Sequence, residues 1–186
     1  MEPSATISED YLRQQKELHK NPGYGVASIG FAPIVQQLIA QFGSRSLADY
    51  GAGKCNLKRT LDELGATGFE YFPYDPAFPE YGPPREADLV CCIDVLEHIE
   101  PEYLENVLLD LRRMISKYGF LTIHTGAAMK VLEDGRNAHL IQRPASWWLP
   151  TLSQHFEVVH LQGVKYGFWV VVIPRIEVSR EPPAPV

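Results

Sequence analysis

The strongest constraint on the fold is a nearly continuous apolar run, Ala87–Ile93, which reads ADLVCCI. A strand with one exposed face alternates apolar and polar residues, whereas a strand covered on both faces is apolar almost throughout. The run therefore predicts a central strand of a parallel sheet. Similar patterns predict strands over residues 46–50, 69–74 and 120–124, and helices over residues 31–42, 55–64 and 101–115.

These elements alternate along the chain, which is typical of a parallel sheet with right-handed crossovers. A short helix is predicted before them, over residues 11–20, and another after them, over residues 146–155. Two last strands, over residues 156–161 and 166–173, are separated by a short link at Gln162 and Gly163, so we expect an antiparallel pair. The predicted fold is α/β: a doubly wound, mostly parallel Rossmann-like sheet that closes with a C-terminal antiparallel strand pair.

A chain of 186 residues suffices for one such domain. We assign residues 1–30 to an N-terminal helical lead or lid, residues 31–174 to the main domain, and the proline-rich residues 175–186 to a disordered tail. The net charge of −6 argues against a nucleic-acid partner, because such proteins usually carry a basic surface. The sequence has no membrane-length apolar segment, no CxxC pair and no signal-peptide core, so we expect a cytoplasmic protein without a membrane partner.

The first predicted strand ends in a glycine turn, Asp49-Tyr50-Gly51-Ala52-Gly53. Two glycines one residue apart let the chain turn sharply and let a ligand approach the backbone, because no Cβ intrudes. The helix that follows presents free N–H groups to such a ligand. A tight strand–helix turn that binds nothing remains an alternative.

The second predicted strand ends at Asp75, whose carboxylate could accept hydrogen bonds from both hydroxyls of a ribose. The alternative is an Asp-Pro turn that only caps the strand. A nicotinamide enzyme would combine this carboxylate with a GxGxxG turn, but the chain reads GAGKCN and lacks the third glycine. Asp49 precedes the glycines instead, where it could bind the amino group of a methionine moiety.

A third motif, DVLEHI at residues 94–99, directly follows the buried strand. In their order and spacing, DYGAGKC, the strand ending in Asp75 and CCIDVLEHI resemble the class I S-adenosylmethionine-dependent methyltransferases. The terminal strand pair resembles that superfamily too, and the match covers roughly residues 24–174. The resemblance implies S-adenosylmethionine as cofactor, bound by Tyr24, Ser28, Asp49, Gly51, Ala52, Gly53, Asp75, Pro76, Ala77, Asp94 and Val95.

Within that set, the resemblance implies that the glycine turn lines the methionine moiety, that Asp75 binds the ribose, and that Pro76 and Ala77 approach the adenine. Two features depart from the superfamily pattern. Cys55 stands where a third glycine often occurs, and only residues 76–86 separate Asp75 from the central strand. A proline-rich loop in this interval leaves no room for the usual edge strand, so we expect the sheet to lack it.

Methyl transfer to a hydroxyl or a protonated amine needs a base for the acceptor proton. His98 and His124 follow two strands beside the expected cofactor, and His139 lies in the polar segment expected to cover the site. We rank His98 and His139 first as catalytic residues and His124 second. A purely structural role remains the alternative for each.

The same motif allows a metal-binding alternative. If residues 94–98 were helical, Asp94, Glu97 and His98 would share one face, and His139 could be a fourth ligand. This D-x-x-E-H spacing resembles the E-x-x-E-H of small-RNA 3′-terminal and ubiquinone-pathway O-methyltransferases, which bind a divalent cation there. Because this chain has Asp in place of the first Glu, and DVLEH is common without metal, we expect no metal.

Residues 130–148 combine charged, amide and aromatic groups and are the predicted acceptor contact. Arg136 and Arg143 could bind a phosphate or carboxylate, and Trp147 or Trp148 could stack on a ring, although core packing is the commoner role of such a pair. We expect methyl transfer to an oxygen or nitrogen of a small molecule or glycan. The alternatives are an inactive cofactor-binding module and a nicotinamide oxidoreductase.

Overall fold

A computed structural model describes residues 5–175 of the chain. Helix α1 (Glu9–His19) begins soon after the start of this range. Ser8 caps this helix by accepting a hydrogen bond from the Tyr11 N–H, and its acidic first turn and basic last turn complement the helix dipole. The other α-helices among the described residues are α2 (Ala27–Phe42), α3 (Asn56–Glu63), α4 (Leu104–Met114) and α5 (Ala145–Leu152).

Six strands form one sheet in the order β2-β1-β3-β4-β6-β5. They are β1 (Ser46–Tyr50), β2 (Glu70–Tyr74), β3 (Ala87–Ile93), β4 (Ile115–His124), β5 (Phe156–Val164) and β6 (Gly167–Pro174). Strands β2, β1, β3 and β4 are parallel, and β6 runs antiparallel to both β4 and β5. The predicted fold is therefore confirmed.

The absent edge strand is confirmed as well, within the described residues. Strand β2 lies at the edge of the sheet, and the chain returns from it to β3 through a loop that contains only the 3₁₀ helix Pro79–Tyr81. Strand order reverses between β1 and β3, because β2 lies on one side of β1 and β3 on the other. Ligands of such sheets bind at the carboxyl ends of the strands beside this reversal.

The position of β3 in the middle of the sheet explains why its sequence is almost entirely apolar. Leu89 and Cys91 belong to the apolar cluster under α2 and α3, whereas Val90 and Cys92 belong to the cluster under α4 and α5. All four side chains are fully buried. Helices thus cover both faces of the sheet, and burial of these faces is the main source of stability. Within residues 5–175, the helices are too short or too polar to cross a bilayer.

Several predicted boundaries differ from the structure. Helix α2 begins at Ala27, so the division between residues 30 and 31 falls inside a continuous helix. Strand β4 begins at Ile115, five residues before the predicted start, because its polar first residues pair with β3 across an irregularity that places one extra residue in β4. The last two strands turn at Lys165 and Tyr166, since residues 162 and 163 still pair across the ladder. Except for residue 175, the predicted disordered tail lies outside the described residues.

A polar stretch between β4 and α5, residues 125–144, is called the covering segment below. It packs on helix α1 through a small third cluster that includes Tyr11, Leu132 and Ala138. Hydrogen bonds join the same two elements, including one of 2.8 Å that Arg13 donates to Glu133. Helix α1 and the covering segment therefore lie together over the carboxyl end of the sheet.

Candidate cofactor and acceptor site

A cavity of about 400 Å³ lies at the carboxyl ends of β1 and β3. All the sequence-predicted cofactor residues line it, as do His98, His124 and His139. Glu97 does not. The structure thus brings the predicted catalytic and cofactor-binding residues to one place, where the reversal of strand order leaves a crevice.

The glycine turn is fixed by close backbone packing. Gly51 has a φ of +78°, and its N–H and that of Ala52 both donate to the Tyr74 carbonyl at the end of β2. A Cβ built on Gly51 would lie only 2.4 Å from Cγ2 of Val95. Glycine is therefore required here both for the backbone conformation and for the approach of Val95.

Cys55, which replaces the third glycine, has a φ of +54° and precedes the first residue of α3. A non-glycine residue in this left-handed conformation is strained by about 1–2 kcal/mol. The backbone at this position still takes the shape that glycine adopts freely, so the departure from the superfamily pattern lies in the side chain alone.

Asp75 is buried directly after β2 and forms a hydrogen bond with the glycine turn. Its Oδ2 accepts a 2.9 Å hydrogen bond from the Gly53 N–H, and its Oδ1 accepts one of 2.8 Å from the Ala77 N–H. Burial raises the pKa of Asp75, while these bonds and nearby His19 oppose the rise. Each oxygen keeps lone pairs for further donors, such as a pair of hydroxyls.

Asp49 is more deeply buried, with 3% of its surface exposed. The Tyr71 hydroxyl donates a 2.6 Å hydrogen bond to its Oδ2. Burial raises the pKa of Asp49 to about 7, against the lowering effect of this bond. A cationic group entering the cavity would favour the ionised form of Asp49, and Asp49 would in turn attract that group.

Three histidines cluster at the cavity, with His139 between the other two. Its ring centroid lies 4.6 Å from that of His98 and 4.8 Å from that of His124. The Nδ1 of His98 lies 2.8 Å from the Ala138 carbonyl, and the Nδ1 of His139 lies 2.7 Å from the Gly126 carbonyl. Because a carbonyl only accepts, each Nδ1 must donate, which leaves Nε2 as the basic nitrogen of a neutral ring.

The three histidines differ in their surroundings. Burial lowers the pKa of His98 to about 4, so it is a weak base. His124 Nδ1 faces both the N–H and the carbonyl of Gly126, which fits either neutral tautomer. His139 is positioned by Asn137, whose Oδ1 accepts from the His139 N–H and whose amide also bonds Ala128. His139 therefore combines a defined proton-accepting nitrogen, Nε2, with a backbone held by Asn137.

The D-x-x-E-H motif does not form the helical face on which its four-ligand interpretation depends. Asp94 has a φ of +59° and Val95 one of −125°, so only Leu96–His98 forms a 3₁₀ helix. One ligand atom each of Asp94, His98 and His139 lie within 4.8 Å of one another. Glu97 is absent from that group: it is fully buried, and its Oε1 accepts from the His124 N–H.

The predicted acceptor segment reaches the cavity only in part. Lys130 and His139 line it, but Arg136 pairs with Asp134 at the surface. Arg143 lies over the ring of Trp147 beside a separate, shallower cavity. Trp148 is fully buried in the core under α5, as the packing alternative predicts.

Helix α1 supplies cavity residues that none of the motifs includes. Tyr11, Gln15 and His19 all line the cavity. They are four residues apart and therefore share one face of the helix. This spacing is visible in the sequence, but it does not indicate a binding role until the fold shows that this face of the helix lines the cavity.

No protein-family model and no curated protein sequence matches the chain, but solved structures do. The Burkholderia thailandensis 1,6-didemethyltoxoflavin-N1-methyltransferase, solved with bound 1,6-didemethyltoxoflavin and S-adenosylhomocysteine, has a TM-score of 0.63 and 12% identity, over 94% of this chain and 93% of its own. The DhpI-SAH complex has a TM-score of 0.54 and 14% identity, over 90% and 98%. The mitomycin 7-O-methyltransferase MmcR has a TM-score of 0.53 and 14% identity, over 78% and 54%.

Identities this low establish likeness of fold. The glycine turn, the buried carboxylate after β2 and the antiparallel pair that closes the sheet occupy the positions that the sequence resemblance implied. This chain has the α/β fold of the class I S-adenosylmethionine-dependent methyltransferases.

Proposed function

We propose that this protein transfers a methyl group from S-adenosylmethionine to an oxygen or nitrogen atom of a small molecule or glycan. The observation that carries the proposal is that Gly51, Gly53, Asp75 and His139 line one cavity. Two solved structures of the same fold support it: the 1,6-didemethyltoxoflavin-N1-methyltransferase was solved with S-adenosylhomocysteine and 1,6-didemethyltoxoflavin, and DhpI was solved with S-adenosylhomocysteine.

The residues present fit such a cofactor. The cavity volume of about 400 Å³ lies within the range of roughly 300–1,000 Å³ that small-molecule sites occupy. Asp75 would hold the ribose hydroxyls, the glycine turn would line the methionine moiety, and Asp49 would face its amino group. Pro76 and Ala77 would approach the adenine.

When bound, the cofactor supplies a methyl group on a positively charged sulfur. The protein has to orient the acceptor and remove its proton. His139 serves as the base through Nε2, since its Nδ1 donates to the Gly126 carbonyl. His98 remains neutral at physiological pH and lines the acceptor side of the cavity.

Binding is tested first, by isothermal titration calorimetry with S-adenosylhomocysteine and with NAD. We expect binding of the nucleoside alone, weakened about tenfold or more by Asp75→Ala, because a charge-assisted bond contributes about 1.5–3 kcal/mol. Asp62→Ala removes an exposed carboxylate that, within residues 5–175, pairs with Lys58 alone, and it serves as the matched control. Lack of S-adenosylhomocysteine binding would refute the proposal, and binding of NAD instead would favour the oxidoreductase.

Turnover is tested with a panel of phenols, enols, amines and sugars, by following S-adenosylhomocysteine formation. For an acceptor that reacts, His139→Ala should lower kcat by about 10²–10⁴ while leaving cofactor affinity unchanged. His160→Ala, in an exposed part of β5, is the control. Cofactor binding without turnover of any acceptor would favour the inactive module.

A further inference from the structure

Helix α1 places an imidazole directly against the glycine turn and Asp75. His19 ends the helix, and 12% of its side chain is exposed. Its Nε2 lies 4.0 Å from Asp75 Oδ2, and a Cβ built on Gly53 would lie 3.0 Å from His19 Cε1. His19 therefore forms a wall of the cavity at the position where Asp75 and the glycine turn meet.

Two aromatic side chains hold this ring in place. The ring of Tyr24 meets it edge-on at 5.1 Å between centroids, and the ring of Phe78 does so at 5.0 Å. Tyr24 follows α1, whereas Phe78 belongs to the loop after Asp75, so the imidazole is fixed by two separate parts of the chain. Burial lowers the pKa of His19, more than nearby Asp75 raises it, so the ring is neutral and has one donor and one acceptor nitrogen.

The Nε2 of His19 is the ring nitrogen that lies beside Asp75, and the ring lines the cavity. The other nitrogen, Nδ1, is buried and has no hydrogen-bond partner within residues 5–175, so Nε2 is the nitrogen that a ligand can reach. A ligand with hydroxyl groups beside Asp75 could therefore pair with Nε2. A carboxylate only accepts hydrogen bonds, whereas the Nε2 of a neutral imidazole donates or accepts according to its tautomer, so the two side chains together complement a diol.

We propose that His19 binds the ribose of the adenosyl cofactor together with Asp75, which makes helix α1 part of the cofactor site. This inference rests on the proposed function and adds a residue outside the motifs that support it. The N-terminal helix then does more than cover the cavity, because its last turn recognises the nucleoside.

Two variants separate the ring's polar atoms from its bulk. His19→Phe keeps an aromatic ring between Tyr24 and Phe78 but has no ring nitrogen, and His19→Ala removes the ring without adding bulk near Gly53. The same two substitutions at His160, whose exposed ring stacks on Trp169 outside the cavity, are the matched controls. Calorimetry with S-adenosylhomocysteine and with 5′-methylthioadenosine, which has the ribose and adenine but no amino acid, measures affinity for each part of the nucleoside.

We expect both His19 variants to lose about tenfold or more in affinity for both ligands, by a similar factor, whereas the His160 variants bind as the wild type does. The ligand-free melting temperature of His19→Phe should stay close to that of the wild type. Wild-type affinity in either His19 variant would overturn the inference, and so would a loss confined to S-adenosylhomocysteine, because His19 would then contact the methionine moiety. If the wild type bound neither ligand, the proposed function itself would fail.

Discussion

If the cavity binds S-adenosylmethionine as proposed, Asp49 is the residue whose ionisation should respond most directly to binding. Burial holds its pKa at about 7, and it is surrounded by groups that do not neutralise it: the Tyr71 hydroxyl, Cys91 on the paired strand, and Asp75. A cationic amino group in the cavity would bind the ionised form better than the protonated form. Binding and deprotonation are therefore coupled.

Affinity for S-adenosylhomocysteine should rise as the pH increases from 6 to 8, by up to about tenfold, because Asp49 ionises over this range. Calorimetry at several pH values measures the rise. Asp49→Asn should bind weakly with a much flatter pH profile, and an equally steep profile in that variant would assign the effect to another group.

The raised pKa of Asp49 has the opposite effect on the stability of the ligand-free protein, which falls as the pH increases. Between about pH 4 and 7 the native state holds a proton on Asp49 that the unfolded chain has lost. The free energy of unfolding that this residue contributes should therefore fall as pH rises through that window. Urea denaturation of wild type and Asp49→Asn at pH 4.5 and 7.5 isolates the contribution, which the amide variant lacks.

Cys55 offers a second prediction at the level of one residue. Because its φ is positive, Cys55→Gly should be more stable than Cys55→Ala by about 1 kcal/mol. Both variants lose the same sulfur, so the comparison isolates the backbone strain. The same pair at Cys92, inside β3, should reverse the order, because glycine destabilises a strand interior. Equal urea midpoints for the two Cys55 variants would show that no strain is stored there.

At the scale of elements, the loop between β2 and β3 takes the place of the absent edge strand and supports the glycine turn. Tyr81, in its 3₁₀ helix, donates a 2.8 Å hydrogen bond to the Gly53 carbonyl and stacks on Phe78. The loop therefore holds the glycine turn through the Gly53 carbonyl.

Tyr81→Phe removes this hydrogen bond and keeps the stacked ring. We expect affinity for S-adenosylhomocysteine to fall about fivefold, since one such bond contributes about 1 kcal/mol. Tyr118→Phe, whose ring stacks on Phe42 away from the cavity, should bind normally in the same titration. Unchanged affinity in Tyr81→Phe would mean that the Tyr74 and Asp75 bonds fix the turn without the loop.

Elements whose burial leaves a pattern in the sequence were predictable, and those defined by tertiary contacts were not. The bounds of β1 and β3 match the structure because the core covers nearly every residue of these strands. The D-x-x-E-H motif does not form the helical face that its metal-binding alternative required, because the φ of +59° at Asp94 interrupts the regular helical dihedrals. His19 carried no signal of its own, because its role arises only where α1 meets Asp75.

At the scale of the whole molecule, stability is unevenly distributed. Two large apolar clusters hold the sheet between its helices, whereas α1 and the covering segment share a small cluster around Tyr11 and Leu132. Regions with few buried apolar contacts open at lower free energy than the core. We therefore expect α1 and the covering segment to open together, and the cavity between them and the sheet to be reached in this way.

Hydrogen exchange followed by mass spectrometry tests this coupling. Without ligand, amides in α1 and in the covering segment should exchange faster than those of β3 and β4, because these elements share a small apolar cluster and partly exposed polar contacts such as the Arg13–Glu133 pair. Saturation with S-adenosylhomocysteine should slow exchange in both elements by a similar factor, since a bound ligand stabilises the closed state. If protection were confined to the glycine turn and the residues after Asp75, α1 would have no part in closing the site. If α1 alone were protected, the two elements would open independently, and the shared cluster would be too weak to couple them.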